Sequence, residues 1–140
     1  MKNQSGISVI VLVIAIVVLI IVTITIIISN NNTVKTKSLN NMYADIKSLN
    51  DSVFMYYSKY GVLPIKEKFE GNYDFTINKN PNDAEDGYYI IDISKLTSLI
   101  LTRNLTWTGD DVYIVNDKTH TIYYPKGIIY EGDKYYTLPK

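Results

Sequence analysis

The sequence predicts an α+β protein in which a long N-terminal helix packs on a small C-terminal antiparallel sheet. Three observations predict this class: an unbroken apolar segment near the N-terminus, an amphipathic helical pattern after it, and short Tyr- and Ile-rich segments between turn residues in the C-terminal half. The chain has 140 residues, which is room for one globular domain. It therefore divides into an apolar N-terminal helix and one small, polar globular part, the head.

The first element is an apolar segment over residues 7–29, in which 19 of 23 residues are Ile, Val, Leu or Ala; all 28 charged side chains lie outside it. As a helix it is about 35 Å long, enough to cross a hydrocarbon core of about 30 Å. Ile and Val favour strands in water, but a helix satisfies its own backbone polar groups in lipid. The alternative to a membrane helix is a helix buried in the core of a soluble domain. The remaining residues are too few to surround a helix of this length. We therefore predict a transmembrane helix.

Residues 1–6 form a short basic leader that contains Lys2 and ends in Gly6. A secretory signal peptide has a shorter apolar region followed by a small-x-small cleavage site, and residues 26–31 contain no such site. The segment is therefore either an uncleaved anchor or is cleaved on its other side, after Gly6. Lys2 precedes the apolar segment and Lys35 and Lys37 follow it, so the distribution of positive charge is only weak evidence for the orientation of the segment in the membrane. A leader this short normally leaves a long C-terminal part outside the cell.

Residues 2–14 resemble the start of type IV prepilins and of the pseudopilins of type II secretion. The Gly-Ile-Ser-x-Ile form is similar to a variant common in low-GC Gram-positive bacteria. In that family a membrane prepilin peptidase cuts after the glycine on the cytoplasmic face and N-methylates the new terminus. The resemblance implies cleavage between Gly6 and Ile7, methylation of Ile7, and no cofactor.

The same resemblance implies a pilin-like fold in four parts. They are a leader (1–6), a transmembrane helix (7–29), an amphipathic stalk helix (30–61) and a small α+β head (62–140). Assembly into a pilus, a competence apparatus or a secretion pseudopilus would use the N-terminal helix, with Ile7, Ile10, Val11 and Ile14 as the assembly residues. The implied partners are the prepilin peptidase, other pilin-like subunits and the membrane, with no specific nucleic acid and no small-molecule substrate.

Val11 departs from the family pattern. Family members usually carry Glu at this fifth mature position, where the carboxylate can pair with the N-terminus of a neighbouring subunit. Burying either charge alone in lipid is costly, so the ammonium group of Ile7 lacks its usual partner. Val11 therefore argues against a major, polymer-forming role, and a minor subunit remains compatible with the family. The alternative function is an uncleaved single-pass anchor that displays a small binding module outside the cell.

A helical apolar stripe marks the stalk. Its members alternate at spacings of three and four residues: Leu39, Met42, Ile46, Leu49, Val53, Tyr56 and Tyr60. Phe54 and Tyr57 are expected to widen the stripe, as in a helix packed on a sheet, whereas Asp45 lies largely off it. Gly61 is expected to cap the helix. A short coiled coil is the competing interpretation of this repeat.

The head is predicted to contain an irregular connector over residues 65–86, a strand over 87–91 and a short helix over 92–99, capped by Asp92 or Ser94. The remaining strands are predicted over residues 112–116, 121–124, 128–130 and 135–138. Together they predict an antiparallel meander with the stalk helix across one face and the other face in water.

Oxygen ligands are dense in the connector. Asn82, Asp83 and Asp86 are weak candidates for a calcium site, because calcium prefers such ligands. Their spacing is not that of an EF-hand, and clusters of Asn, Asp and Pro are mostly plain turns. Asp110 and Asp111 are a weaker second candidate. We therefore expect turns here and no metal site.

Composition and motifs argue against several classes of protein. The chain has no cysteine, so it forms neither a disulfide framework nor a cysteine-ligated metal site. Fourteen basic and fourteen acidic side chains balance, which argues against a nucleic-acid protein held by counterion release. No P-loop, HExxH or GxSxG pattern is present, and we expect no enzyme.

Aromatic and imidazole side chains have two interpretations each. His120, the only histidine, lies beside a predicted hairpin turn, where a structural role is favoured over catalysis. Tyrosine pairs such as Tyr123 and Tyr124 could stack on nucleic acid or sugar. Adjacent residues of a strand face opposite sides, so each strand pair is instead expected to place one ring in the core and one outside.

Overall fold

The protein is described by a computed structural model that covers Ile14 and residues 36–139. The chain divides into two units, Met1–Lys37 and Ser38–Lys140, and nearly all described residues belong to the second. The predicted leader and, except for Ile14, the predicted membrane segment lie outside the described residues. Within the described part of the chain, no helix combines the length and the apolar character needed to cross a membrane.

Residues 36–60 form one amphipathic helix, α1. The predicted stripe is its buried face over five positions, each at most 8% exposed: Leu39, Met42, Ile46, Leu49 and Val53. Phe54 and Tyr57 are 70% and 40% exposed, so the prediction that they widen the buried stripe was wrong. The helix ends at Gly61 as predicted, where a φ of +72° and an N–H bond to the carbonyl of Tyr57 (2.8 Å) form a C-cap.

Within residues 36–139, six short strands form two antiparallel sheets. They are β1 (Ile65–Lys68), β2 (Tyr88–Ile91), β3 (Ile114–Asn116), β4 (Ile122–Tyr123), β5 (Ile128–Tyr130) and β6 (Asp133–Tyr135). The first four are neighbours in chain order, and the last two form a separate hairpin. The predicted single meander is therefore divided after β4. Pro125 has no N–H to extend a ladder, and Gly127, at a φ of +71°, turns the chain away.

Two further predictions about strands were wrong. The first strand, β1, lies in the segment predicted to be irregular, and Ile65 pairs with Ile91 across a ladder whose register shifts before Lys68. Three charged residues follow Ile65, so β1 carries no apolar alternation that would reveal it. At the other end of the head, β6 begins at Asp133, two residues before the predicted strand over 135–138, and stops at Tyr135.

The predicted helix over residues 92–99 is reduced to a 3₁₀ turn, Ile93–Lys95. Its N-cap is Asp92, one of the two predicted caps, whose carboxylate accepts a hydrogen bond from the N–H of Ser94 (3.1 Å). The three-residue turn is too short for the full apolar face that the sequence suggested.

Strands β2, β3 and β4 of the four-stranded sheet are covered on both faces, contrary to the prediction of one covered face, whereas the last three residues of β1 are exposed. Towards α1, the sheet contributes Ile91, Val115 and Ile122 to a core with the helix stripe. The opposite face carries a second, largely aromatic cluster: Phe69, Phe75, Tyr88, Val112, Ile114, Tyr123 and Tyr136. It forms because the connector contains a second 3₁₀ helix, Asp74–Asn78, whose Phe75 ring lies 5.0 Å from that of Tyr88.

This double burial corrects the prediction for one tyrosine pair. Tyr123 and Tyr124 are 0% and 1% exposed, and each belongs to a different cluster. The two rings do face opposite sides of the chain, as expected, but both sides are covered. The pair is therefore structural on both faces.

Asp45 was predicted to lie off the stripe and is fully buried. Its carboxylate accepts hydrogen bonds from the N–H groups of Thr102 (2.6 Å) and Arg103 (3.1 Å), and from the hydroxyls of Thr102 (2.8 Å) and Tyr113 (2.9 Å). These four bonds fasten α1 to the loop that precedes β3. Burial, and then the nearby charge of Asp45, raises the pKa of Tyr113, so its hydroxyl remains a donor.

We expect Asp45→Ala to lower the free energy of unfolding by about 2–4 kcal/mol, because the buried hydroxyl of Tyr113 and three part-buried donors lose their acceptor together. Denaturant unfolding can be followed by the fluorescence of Trp107, the only tryptophan, whose ring lies 6.2 Å from that of Tyr113. Asp51→Ala, at an exposed position of the same helix, is the matched control and should change stability by less than about 0.5 kcal/mol. Equal effects of the two variants would contradict the structural role of Asp45.

Candidate functional site

The predicted processing residues, Gly6 and Ile7, and the predicted assembly positions Ile10 and Val11 lie outside the described residues. Ile14, the remaining assembly position, is helical and 58% exposed. Apart from Ile14, the described part of the chain comprises α1 and the head, and a site there is defined by its cavities and polar clusters.

A groove of about 630 Å³ lies between α1, residues 78–81, the β3–β4 turn (residues 117–121) and the C-terminal residues 137–138. We call it the amide groove. Its floor includes the buried side chains of Ile46 and Ile122, and three asparagine amides lie among its polar groups. Twelve described residues line it, and none of them is Asp, Glu, Lys or Arg.

Asp83 holds two walls of the amide groove in place. This residue is 8% exposed, and its carboxylate accepts hydrogen bonds from the hydroxyls of Tyr88 (2.9 Å), Tyr123 (2.6 Å) and Thr119. The hydroxyl of Tyr123 in turn accepts the N–H of Asn80 (2.8 Å). The connector is thereby fixed against β4 and the β3–β4 turn.

Asn116, at the end of β3, fixes the same region from the other side and is fully buried. Its amide oxygen accepts the N–H groups of Ala84 (3.1 Å) and Lys118 (3.1 Å), and its amide nitrogen donates to the carbonyl of Ala84 (2.9 Å). The side chain therefore pairs with the connector as a strand backbone would. The groove walls are set by buried bonds and do not depend on a ligand.

His120 lies at the edge of the groove, in the β3–β4 turn. Its φ of +61° is unusual for a residue other than glycine, and its N–H donates to the carbonyl of Asn116 (2.9 Å). The imidazole meets the ring of Tyr57 edge-on at 4.7 Å between centroids. This contact joins the turn to α1, which is the structural role favoured from sequence.

The buried tyrosines of the head are held as hydrogen-bond donors. Burial raises the pKa of Tyr88 and of Tyr123 well above the ordinary tyrosine value, and the carboxylate of Asp83 acts in the same direction. Burial also raises the pKa of Tyr124 to about 12, helped by the bond that its hydroxyl donates to Asp111 (2.6 Å). All three therefore remain neutral at physiological pH.

The weak calcium candidates of the connector are engaged in other contacts. Both carboxylate oxygens of Asp83 accept hydroxyls, as described above. Asp86 is 94% exposed and lies 3.7 Å from the ammonium of Lys68. Asn82 donates its N–H to the side chain of Asn80 (3.0 Å), as in an ordinary Asx turn. Within residues 36–139 and at Ile14, no group of three or more His, Cys, Asp or Glu is placed to hold a metal ion.

The second candidate pair is likewise used within the fold. Asp110 accepts the N–H of Asn72 (2.8 Å), and Asp111 accepts both the N–H (2.8 Å) and the hydroxyl (2.9 Å) of Thr106. Burial tends to raise the pKa of Asp111, but the hydrogen bonds from Tyr124 and Thr106 outweigh it and lower that pKa. This carboxylate is therefore a structural acceptor.

No protein family, curated protein or solved structure matches the chain. Function is therefore inferred from the residues of the chain itself. Sequence reasoning had singled out Asp83 and His120 for other roles, and it missed the amide groove. The available signal was the abundance of Asn and Thr beside the predicted turns, which does not show that separate turns meet.

We expect stability to be independent of tyrosine ionisation up to about pH 10 and to fall above it. Tyr124 ionises near 10 in the unfolded chain and near 12 in the folded one, so its stabilising contribution is complete below pH 10 and is lost as the pH rises through 12. Denaturant unfolding at several alkaline pH values, with tyrosinate absorbance recorded in parallel, measures this. Tyr124→Phe should remove one late-ionising group, and a single ionisation of all tyrosines near pH 10 in the folded protein would contradict the expectation.

Proposed function

We propose that the chain is a structural subunit resembling a type IV pilin or pseudopilin, processed after Gly6 and anchored in the membrane by residues 7–29. The observation that carries this proposal is the direct junction of a short basic leader, Gly6 and a 23-residue apolar segment. Prepilin peptidase would remove the leader and methylate Ile7. Loss of Lys2 leaves 13 basic against 14 acidic side chains, a formal charge of −1.

The architecture of the head supports the proposal. An α1 stripe packed on antiparallel strands is the α+β arrangement that the resemblance predicts. We further propose that α1 continues the apolar N-terminal helix, as in the fold of pilins. In this function the head faces outside the cell and contacts neighbouring subunits or a transported substrate.

Assembly would depend on the shape of the apolar helix. Ile7, Ile10, Val11 and Ile14 offer only aliphatic surface, and lipid gives no hydrophobic drive between helices, so close packing would hold subunits together. Without a carboxylate at Val11, the terminal ammonium of Ile7 has no partner from that position. We therefore assign the chain a minor position in a filament.

Mass spectrometry of the protein purified from its native host tests the processing step. We expect a mature chain that begins with N-methylated Ile7. Gly6→Leu should retain residues 1–6, because the bulky side chain occupies the cleavage position. Ser5→Ala, one residue earlier in the leader, is the matched control and should be processed normally.

An intact leader on the wild-type chain in its native host would contradict the proposal. It would favour the second candidate, an uncleaved single-pass anchor that displays a small binding module. The observation that favours this candidate is Val11, which removes the carboxylate that filament subunits of the family usually carry.

A further inference from the structure

We infer that the amide groove binds a neutral saccharide that carries acetamido groups. This inference goes beyond the proposed function and is independent of processing at Gly6, because every residue it uses lies between positions 46 and 138, in α1 or in the head. A processed subunit and an uncleaved anchor would bind the same ligand.

The lack of charged side chains among the twelve described lining residues favours an uncharged ligand. The groove volume of about 630 Å³ lies within the range of about 300–1,000 Å³ that is typical of small-ligand sites. The twelve lining residues include no Asp, Glu, Lys or Arg. A charged ligand would lose hydration without gaining an ion pair, which is unfavourable. A neutral ligand with many hydroxyl or amide groups loses less and regains hydrogen bonds.

The amide groups supply the polar contacts. Asn50 on α1 and Asn78 at the end of the 3₁₀ helix are exposed, and neither side chain has a hydrogen-bond partner within the described part of the chain. Asn80 is held by a bond from its amide nitrogen to the hydroxyl of Thr121 (3.2 Å). Each amide offers donors and an acceptor, which match both sugar hydroxyls and the C=O and N–H of an acetamido group.

Two side chains supply the apolar contacts: Pro81, which is exposed, and Leu138, which is half-buried. Ile46 and Ile122 are at most 1% exposed and offer almost no surface to a ligand. The methyl of an acetamido group and the C–H faces of a sugar ring can cover the surface of Pro81 and Leu138, whereas a plain polyol would cover less of it. Apolar surface at Pro81 and Leu138 beside amide groups therefore favours an N-acetylated sugar over an unmodified one.

A peptide strand is the main competing occupant, because β4 is an edge of the sheet and strands add to free edges. The C-terminal segment of the chain already uses this edge. Thr137 donates its hydroxyl to the carbonyl of Ile122 (2.6 Å), and the N–H of Tyr124 donates to the carbonyl of Tyr136 (2.7 Å). The edge of β4 therefore offers fewer free main-chain N–H and C=O groups to a peptide. Because of this, we infer that side chains recognise the ligand.

The walls are ordered before any ligand arrives. Asp83 fixes the connector, and the left-handed conformation of His120 is maintained by its contacts with Asn116 and Tyr57. Strained residues of this kind are concentrated at binding and active sites. Because these walls are already ordered, binding a ligand costs the protein little conformational entropy.

The test is calorimetric titration of the full-length protein in nanodiscs prepared without sugar-headed detergents. The probe is a tetramer of N-acetylglucosamine, and we expect saturable binding. Two matched ligands separate the contributions: a glucose tetramer, which lacks the acetamido groups, should bind more weakly, and the deacetylated, cationic tetramer should not bind.

Variants locate the site. Asn50→Ala and Asn78→Ala should each weaken binding about fivefold, which corresponds to the loss of one neutral hydrogen bond. Asn40→Ala, at an exposed position of α1 outside the groove, is the control and should bind as the wild type. Circular dichroism and the thermal midpoint verify that each variant is folded.

The inference is overturned if the N-acetylglucosamine tetramer gives no saturable binding to the folded protein. It is also overturned if the deacetylated tetramer binds as tightly, or if binding is unchanged in both Asn50→Ala and Asn78→Ala. None of these outcomes bears on cleavage after Gly6, which mass spectrometry measures separately.

Discussion

The packing of α1 against the head depends on the hydrogen bonds to the buried carboxylate of Asp45. Apolar packing attracts α1 to the sheet, but it is non-directional and would tolerate a shift of the helix along its axis. Four hydrogen bonds to Asp45 remove that freedom, because any shift takes the acceptor away from the buried hydroxyl of Tyr113 and from the part-buried donors of Thr102 and Arg103. The same bonds set the position of Ile46 and Asn50, which follow on the helix and form part of the amide groove.

Aromatic rings with hydroxyl groups hold the rest of the head together. The chain has thirteen tyrosines and no cysteine, so burial must provide what disulfides provide in many small extracellular domains. Three acidic residues each accept a buried tyrosine hydroxyl: Asp45 from Tyr113, Asp83 from Tyr88 and Tyr123, and Asp111 from Tyr124. Each ring adds apolar area to a core while its hydroxyl ties a loop to that core.

Local patterns made part of this fold predictable from the sequence. The three-four spacing located the buried face of α1, and Gly61 marked the end of the helix. Both signals involve residues close together in the chain, so they can be recognised without knowledge of long-range contacts. Asp45 looked like a solvent-facing charge, since its partners lie 57 and more residues away in the chain. Phe69 and Phe75 were expected to hold the connector to the head, but a connector without periodicity does not show that they cover the second face of the sheet. The amide groove was missed because four separate segments build it. The residues predicted for cleavage and assembly lie outside the described part of the chain and stay predictions.

Native-state hydrogen exchange at the N–H groups of Thr102 and Arg103 tests the central role of Asp45 most directly. Both residues lie in a loop without helix or strand, and Asp45 on α1 accepts their N–H groups. If Asp45 locks this loop to the helix, their amides should exchange as slowly as those of the buried face of α1, because both then open only when the head unfolds. Exchange at the rate of an open loop, while the amides of α1 stay protected, would contradict the account.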